Sequence, residues 1–347
     1  MRINFFFVHP SKYYLFKYLI NELVERNYQV EIFITSKDVL EYLVKKEGWN
    51  YTNIFPQGRK IKWLPTYVSA AVNSIRTIWR IYKRTRNKNY DLFFTDDLSV
   101  INAWFKKSKS IYFTDDHADS IPEFKLLMYF ASKILAPNSA NLGKFERKKI
   151  GFNGYKQSAY LREKYFKPDI NIVQKFNPQL TKYFLIRCVS LKATHDVGKT
   201  GLTNDLLRRI IPTLEEYGNV YLISERELPQ DLEKKVIDLP PEEIHNAINY
   251  SSLFIGDSQT MCTEAGFLGT YFIWYSHFVG KVGTLHEMID KYGLGVGIES
   301  GDEEIFIAEI KKFLNKDIDV NERALKMKKN TIDLTEFMLE LVEDYNK

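Results

Sequence analysis

Polar residues suited to binding an anion follow an apolar run late in the chain. The stretch GDSQTMCTEAGFLG comes directly after SSLFI, so a buried strand would end where a helix of small residues begins. Such a turn presents backbone N–H groups and the positive end of a helix dipole, which together bind anions such as phosphate. We expect five consecutive residues to bind a diphosphate: Gly256, Asp257, Ser258, Gln259 and Thr260. The alternative is an N-capped helix packed on a sheet.

Glu264 lies one turn farther along the same predicted helix. Its carboxylate can accept two hydrogen bonds from the vicinal hydroxyls of a ribose, which would make it a nucleotide-binding residue. In the alternative interpretation, the carboxylate is simply solvated.

A second candidate binding segment, SLKATHDVGKTG, follows the first apolar strand of the second half. Glycine allows close approach of the backbone to a ligand, and lysine supplies a mobile positive charge, as phosphate contacts need. The spacing does not match a Walker A motif. The residues predicted to bind substrate here are Thr194, His195, Asp196, Gly198 and Lys199. The alternative is a surface loop.

Candidate acid and base groups follow apolar strands in the first half. The tripeptide Thr-Asp-Asp comes after LFF and again after IYF, and ligands of open α/β sheets collect at the carboxyl ends of strands. Asp96 and Asp97 are interpreted as helix caps. Asp116, in the acidic cluster TDDHAD, and His9, after the first strand, are predicted as general bases. No metal site is predicted, because a lone acidic pair is weak evidence for a cation.

Strands alternate with helices in both halves, which predicts an α/β protein of two doubly wound, Rossmann-like domains facing a cleft. The predicted N-terminal domain covers residues 1–165. An irregular linker covers 166–180, and a second domain covers 181–320. Residues 321–347 form a C-terminal helix that packs back on the first domain. A short strand, VIDL, is also predicted before the helix that begins in PEEIHN.

A long helix is predicted from about Leu64 to Arg86. Its apolar stripe includes Val68, Val72, Ile75, Trp79 and Tyr82. Lysine and arginine interleave with the aromatic residues, and such a face can rest on anionic lipid headgroups. The alternative is an ordinary crossover helix with a solvated cationic side.

The composition limits the class of protein. A chain of 347 residues is long enough for two domains, and its net charge of +5 suits an anionic substrate or an acidic membrane surface better than nucleic acid. Two cysteines at unsuitable spacing indicate neither a disulfide framework nor a metal site. We expect a cytoplasmic protein, with membrane contact only at the inner surface, because no apolar run is long enough to span a bilayer.

Five segments together resemble an archaeal and bacterial family of unknown function with a predicted GT-B glycosyltransferase fold. In chain order they are HPSKYYLFKYLINELVERNYQVEIFIT, TDDHAD, GYKQSAYL, SLKATHDVGKTGL and GDSQTMCTEAGFLGT. The last is also similar to the diphosphate-binding stretch of the non-hydrolysing UDP-N-acetylglucosamine 2-epimerases. By that resemblance Ser258, Gln259 and Thr260 contact the diphosphate and Glu264 the ribose. Gln259 and Thr260 replace paired glycines of the epimerase pattern, which argues against an epimerase.

The resemblance implies a metal-independent glycosyltransferase. It would move a sugar from a nucleotide-diphosphate sugar to a glycan or lipid-linked acceptor, in surface polysaccharide or glycolipid synthesis, and it would need no cofactor. The nucleobase is expected to lie against Ile237 to Asn246. His9 keeps the first histidine of the family pattern His-Pro-x-His-x-His, whereas Lys12 and Tyr14 replace the later ones and are not expected to be catalytic. The alternatives are a sugar-nucleotide 2-epimerase or hydrolase, and a non-catalytic nucleotide-sugar-binding protein.

Overall fold

The computed structural model describes residues 1–35, 39–59, 65–119, 124–189, 201–280, 283–316 and 318–345. The chain divides into two units. Unit 1 comprises Met1–Tyr165 and Thr331–Lys347, and unit 2 comprises Phe166–Asn330. Unit 2 is therefore inserted into the sequence of unit 1.

A seven-stranded sheet of parallel strand pairs forms the centre of unit 1. The spatial order is β3-β2-β1-β4-β5-β6-β7. Such strands are covered on both faces, which explains apolar runs such as that of the first strand. The strands are β1 (Arg2–Phe7), β2 (Gln29–Ile34), β3 (Tyr51–Asn53), β4 (Leu92–Thr95), β5 (Lys109–Phe113), β6 (Lys133–Pro137) and β7 (Lys149–Phe152).

Two groups of helices flank this sheet. The helices are α1 (Pro10–Glu25), α2 (Leu40–Lys46), α3 (Thr66–Thr85), α4 (Ser99–Lys106), α5 (Lys125–Phe130) and, from the end of the chain, α14 (Leu334–Asp344). Helix α1 contacts α2 and α14, whereas α4 contacts α3 and α5. Right-handed crossovers from a sheet of this order place the two groups on opposite faces.

Helix α3 packs in an unexpected orientation. Its buried positions include the polar residues Ser69, Asn73, Thr77 and Thr85, together with Ile81. Four residues of the predicted apolar stripe, Val68, Ile75, Trp79 and Tyr82, are exposed, and so are the cations Lys83 and Arg84 at the end of the helix. Local hydrogen bonds make the burial of the polar residues possible, because the Thr77 and Thr85 hydroxyls donate to backbone carbonyls one turn earlier.

Unit 2 has a five-stranded sheet, also of parallel pairs, in the order β12-β11-β10-β8-β9. Its strands are β8 (Tyr183–Cys188), β9 (Asn219–Ser224), β10 (Leu253–Gly256), β11 (Phe272–Tyr275) and β12 (Gly295–Ile298). Its helices are α6 (Ile170–Gln174), α7 (Asn204–Glu215), α8 (Gln230–Glu233), α9 (Ile244–Asn249), α10 (Gln259–Leu268), α11 (Gly283–Asp290), α12 (Glu303–Leu314) and α13 (Val320–Lys329).

The elements differ from the sequence-based expectation at four places. Strands β7 and β12 were not predicted, because KIGF and GVGI are short and glycine-bearing. The predicted strand VIDL is wrong, since Val236 makes only an isolated bridge to Leu222. Residues 166–180, expected as a linker, include α6 and lie in unit 2. Within the described ranges, no helix is both long and apolar enough to cross a bilayer.

Candidate functional site

Charged side chains meet at the carboxyl ends of β1, β4 and β5, which are neighbours in the sheet of unit 1. Lys12 reaches this edge from the first turn of α1. Its Nζ lies 3.7 Å from Asp96 Oδ2 and 3.7 Å from Asp115 Oδ1. Lys156, in a short 3-10 helix at Lys156–Ala159, places its Nζ 2.7 Å from Asp115 Oδ2. We call Lys12, Asp96, Asp115 and Lys156 the unit 1 cluster.

The two carboxylates of the unit 1 cluster have opposite pKa shifts. Burial raises the pKa of Asp96 to about 7, against the opposing charge of Lys12. Burial also acts to raise the pKa of Asp115, but Lys156 and Lys12 outweigh it and hold that pKa below its ordinary value. At neutral pH Asp115 is therefore ionised, and Asp96 can both give and take a proton.

Asp96 has an oxygen available for a ligand. Its Oδ1 is buried, and no atom of the described residues forms a hydrogen bond with it. A buried acceptor without a partner is costly, so such atoms point to a functional group or a ligand. The interpretation of Asp96 as a helix cap is wrong, because its Oδ2 pairs with Lys12.

The interpretation of Asp97 as a helix cap is also wrong, because the N-cap residue of α4 is Leu98 and no side-chain hydrogen bond from the described residues caps this helix. Asp97 Oδ1 accepts the Leu98 N–H at 2.6 Å, at the beginning of α4.

The two bases predicted from sequence lie at the same edge. His9 is exposed and caps α1, since its Nδ1 accepts the Ser11 N–H at 3.2 Å. A neutral imidazole that accepts at Nδ1 carries its proton on Nε2, so His9 presents a donor there. Asp116 is half-buried, and its backbone N–H donates to Thr114 Oγ1. Catalytic roles for His9 and Asp116 stay predictions.

Sequence reasoning placed Asp96 and Asp115 at one edge but interpreted Asp96 as a helix cap, and it missed Lys12 and Lys156 as members of the cluster. Each comes from a separate element, and only the strand order β1-β4-β5 brings them together. The available signal was the repeated Thr-Asp-Asp after two strands that prove to be adjacent.

In unit 2, β10 ends at Gly256 and α10 begins at Gln259, as the sequence predicts. Ser258 is the N-cap residue, and its Oγ accepts the Met261 N–H at 3.4 Å. The first-turn amides of Gln259 and Thr260 belong to the positive end of the helix dipole. At Gly256 a Cβ atom would lie 2.9 Å from the Phe254 ring, so packing alone accounts for this glycine.

Asp257 makes contacts within the protein. Its Oδ1 accepts the Val189 N–H at 2.9 Å and its Oδ2 accepts the Leu202 N–H at 3.2 Å. Burial raises the pKa of Asp257, although these two N–H groups act in the opposite direction. Asp257 therefore connects Val189 with Leu202, just before the start of α10. The five predicted binding residues from Thr194 to Lys199 lie outside the described residues.

Replacing Asp257 with asparagine should weaken this connection, because an amide nitrogen cannot accept the Leu202 or Val189 N–H. We expect the free energy of unfolding to fall by about 1–3 kcal/mol. We also expect trypsin to cleave faster at Lys192 and Lys199. Limited proteolysis with peptide mapping measures this. Asp205→Asn is the control, since Asp205 is exposed and pairs only with its helix neighbour Arg208. Equal cleavage of the two variants would contradict the proposed role.

Glu264 is buried rather than solvated, so the solvated alternative is wrong. Its Oε1 lies 3.3 Å from His245 Nε2, and both side chains are 5% exposed. His245 belongs to α9, within the segment Ile237 to Asn246 that was expected to face the nucleobase. The edge of His245 also meets the Phe166 ring, with centroids 5.9 Å apart. Glu264 and the candidate base-binding segment are therefore neighbours.

No metal centre is formed by the described part of the chain, where no three His, Cys, Asp or Glu side chains are grouped to hold an ion.

Several solved structures of similar fold are described as UDP-N-acetylglucosamine 2-epimerases or as glycosyltransferases. One is a Listeria monocytogenes protein described as a UDP-N-acetylglucosamine 2-epimerase, with TM-score 0.72, 13% identity and coverage of 100% of this chain and 96% of that one. The S. aureus MnaA structure with UDP has TM-score 0.68 and 12% identity, covering 99% and 96%. The spinosyn forosaminyltransferase SpnP has TM-score 0.65 and 13% identity, covering 100% of both chains.

No protein-family model and no curated protein sequence matches the chain. The structural likeness nevertheless extends over the whole chain and includes both epimerases and glycosyltransferases. The predicted fold class is confirmed: this is an α/β protein with two Rossmann-like domains and the GT-B fold that these enzymes share.

Proposed function

We propose that this protein is a glycosyltransferase that moves a sugar from a nucleotide-diphosphate sugar to a glycan or lipid-linked acceptor. The observation that carries the proposal is the buried carboxylate of Asp96, which has a pKa of about 7 and an oxygen without a hydrogen-bond partner in the described residues. A general base works best when its pKa lies near the working pH. Asp96 would deprotonate the acceptor hydroxyl, in place of the His9 or Asp116 expected from sequence.

The donor would bind to unit 2. The positive start of α10 and the predicted contact from Lys199 would stabilise the negative charge that develops on the departing diphosphate, so no metal ion is required. Glu264 would accept hydrogen bonds from the ribose hydroxyls, with His245 beside it. Because similar structures contain UDP or UDP-GlcNAc, we propose a UDP-sugar as the donor.

A thermal-shift screen tests the donor site. We expect UDP and UDP-sugars to stabilise the protein more than GDP, CDP or ADP. Glu264→Ala should weaken nucleotide affinity about 10- to 100-fold, the effect of losing hydrogen bonds to a charged group. The two proteins are compared by the rise in Tm that the nucleotide causes. Their Tm values without ligand are not compared, because removing a buried side chain changes stability by itself.

Glu215→Ala is the matched control for that titration. Glu215 is a more exposed glutamate at the end of α7, paired with Lys235. If Glu264→Ala binds nucleotide with unchanged affinity, Glu264 is not part of the nucleotide site.

The unit 1 cluster also supports a second candidate, a sugar-nucleotide 2-epimerase. Epimerisation removes and returns a proton at one carbon, and Asp96 with a pKa of about 7 suits both steps. Incubation with a UDP-sugar alone separates the candidates. Epimerised sugar would indicate an epimerase, and free nucleotide would indicate a hydrolase. Binding without turnover, even with acceptors present, would indicate a non-catalytic binding protein.

A further inference from the structure

An apolar stripe lies exposed along α3. Val68, Ile75, Trp79 and Tyr82 recur at helical spacing, and Ile75 and Trp79 are 68% and 58% exposed. The opposite side of α3 is buried and is mostly polar: it includes Asn73, Thr77 and Thr85 beside the apolar Ile81. This helix therefore presents to the surface the side that a helix of a globular protein ordinarily buries.

The neighbouring helices extend the apolar surface. Trp104 and Phe105 at the end of α4 are 55% and 57% exposed, and Leu126 and Tyr129 of α5 are exposed as well. Asn102 Nδ2 of α4 donates to the Ile78 carbonyl of α3 at 2.9 Å, and the Trp104 ring meets Phe130 of α5 at 5.3 Å.

We call the eight residues together the α3–α5 face: Val68, Ile75, Trp79, Tyr82, Trp104, Phe105, Leu126 and Tyr129. These eight residues are nearly half of the exposed large apolar residues in the described structure. The three helices that carry them contain only a small part of the described residues. Single exposed apolar residues are ordinary, but a concentration on adjacent helices marks an interaction site.

The charges carried by the three helices of the α3–α5 face are all positive. The segments forming α3, α4 and α5 contain no Asp or Glu. Lys83, Arg84 and Arg86 are exposed at the end of α3, and Lys107 is exposed just after α4. Lys83 Nζ lies 5.3 Å from the centre of the Trp79 ring, so cation and aromatic surface are contiguous.

Not every arginine of α3 contributes to this charge. Arg76 and Arg80 turn inward against the Phe55 ring, with the guanidinium carbons 5.2 Å and 4.3 Å from its centre. The exposed positive charge is therefore concentrated at the C-terminal end of α3.

We propose that the α3–α5 face docks on an anionic lipid bilayer. Tryptophan and tyrosine favour the membrane interface, and lysine or arginine beside them is attracted to anionic headgroups. A second copy of the chain fits less well, because in a two-fold contact α3, α4 and α5 of one copy supply no carboxylate to pair with the cations of the other. The proposal does not depend on the reaction, since docking requires no substrate.

Vesicle sedimentation tests the proposal without an activity assay. We expect the protein to bind vesicles of phosphatidylcholine mixed with phosphatidylglycerol, to bind pure phosphatidylcholine weakly, and to dissociate as salt is raised. The variant Lys83→Gln/Arg84→Gln/Arg86→Gln should lower the partition coefficient about 100-fold. Trp79→Ser/Trp104→Ser should lower it at least about tenfold.

Ile305→Ser is the matched control, since Ile305 is an equally exposed apolar residue on α12 of unit 2, and it should bind like the unchanged protein. Circular dichroism confirms that each variant is folded. Absence of binding to the mixed vesicles at low salt would overturn the proposal. So would a dimer in light scattering that Trp79→Ser/Trp104→Ser dissociates, because the face would then belong to a second copy.

Discussion

Replacing Asp96 with asparagine is expected to lower kcat by about 10²- to 10⁴-fold, the usual loss when a general base is removed. In the unchanged protein, kcat should rise with pH through about 7, because Asp96 must be deprotonated to act. The variant should lose that rise. Initial rates of UDP release, measured with acceptor from about pH 5 to about pH 9, test both statements.

The same substitution is expected to stabilise the fold. The pKa of Asp96 goes from 3.8 to about 7 on folding, so the native state holds the proton more tightly than the unfolded chain. The free-energy cost of ionising Asp96 in the folded protein is absent at a pH below the pKa of the unfolded chain. It grows as the pH rises and is complete above about pH 7. It is at most about 4 kcal/mol. Asparagine carries no charge and avoids this cost, so the variant should be the more stable protein at pH 8 and similar near pH 4.

Urea denaturation at the two pH values, together with the rate data, separates a catalytic from a structural role. Asp119→Asn is the control, because Asp119 is exposed and pairs with Lys125 at the surface. If Asp96→Asn keeps full activity, Asp96 is not the general base. A variant less stable at pH 8 would show that pairing with Lys12 outweighs the cost of burial.

Replacing Lys156 with methionine is expected to cost about 3–5 kcal/mol of stability at pH 7, the typical effect of leaving a buried charge without its partner. Lys156 and Asp115 are 9% and 11% exposed, and their charged atoms lie 2.7 Å apart. Among the cations of the described residues, Lys12 at 3.7 Å would remain as the ion-pair partner of Asp115. Asp115 has a lowered folded pKa, so its stabilising contribution is present at neutral pH and is lost as pH falls through that pKa.

The loss caused by Lys156→Met should shrink when urea denaturation is repeated near pH 4. Without Lys156, burial raises the pKa of Asp115, so the carboxylate of the variant can take up a proton there, whereas that of the unchanged protein stays ionised. Lys164→Met is the matched control, since Lys164 and Glu336 form an ion pair that is more than half exposed. We expect that variant to lose less than about 1 kcal/mol. An equally small loss for Lys156→Met would mean that the buried pair does not form in solution.

Most of the fold could be predicted from the sequence because parallel strands have a strong local pattern. Apolar runs such as INFFF and LFFT, separated by helices, indicate βαβ units without any knowledge of which strands pair. The outward stripe of α3 could not be predicted. Helical periodicity shows that one side is apolar, but it does not show which side packs on the sheet.

The candidate site could be predicted only where one segment contains it. The turn before α10 and the buried position of Glu264 in the same helix are local features, and the sequence indicates the turn. The unit 1 cluster depends on three strands and a 3-10 helix that are far apart along the chain. Lys12 was set aside because it departs from a family pattern, although its position beside two carboxylates gives it a central place here.

The insertion of unit 2 within unit 1 has a consequence for biosynthesis. Helix α14 packs on α1, and Thr335 Oγ1 donates to the Ala159 carbonyl at 2.9 Å, yet residues 166–330 are translated between them. Unit 2 is continuous and can close as soon as it leaves the ribosome. Until α14 has been translated, part of α1 in unit 1 stays uncovered. A chaperone that recognises apolar surface would therefore bind unit 1 first.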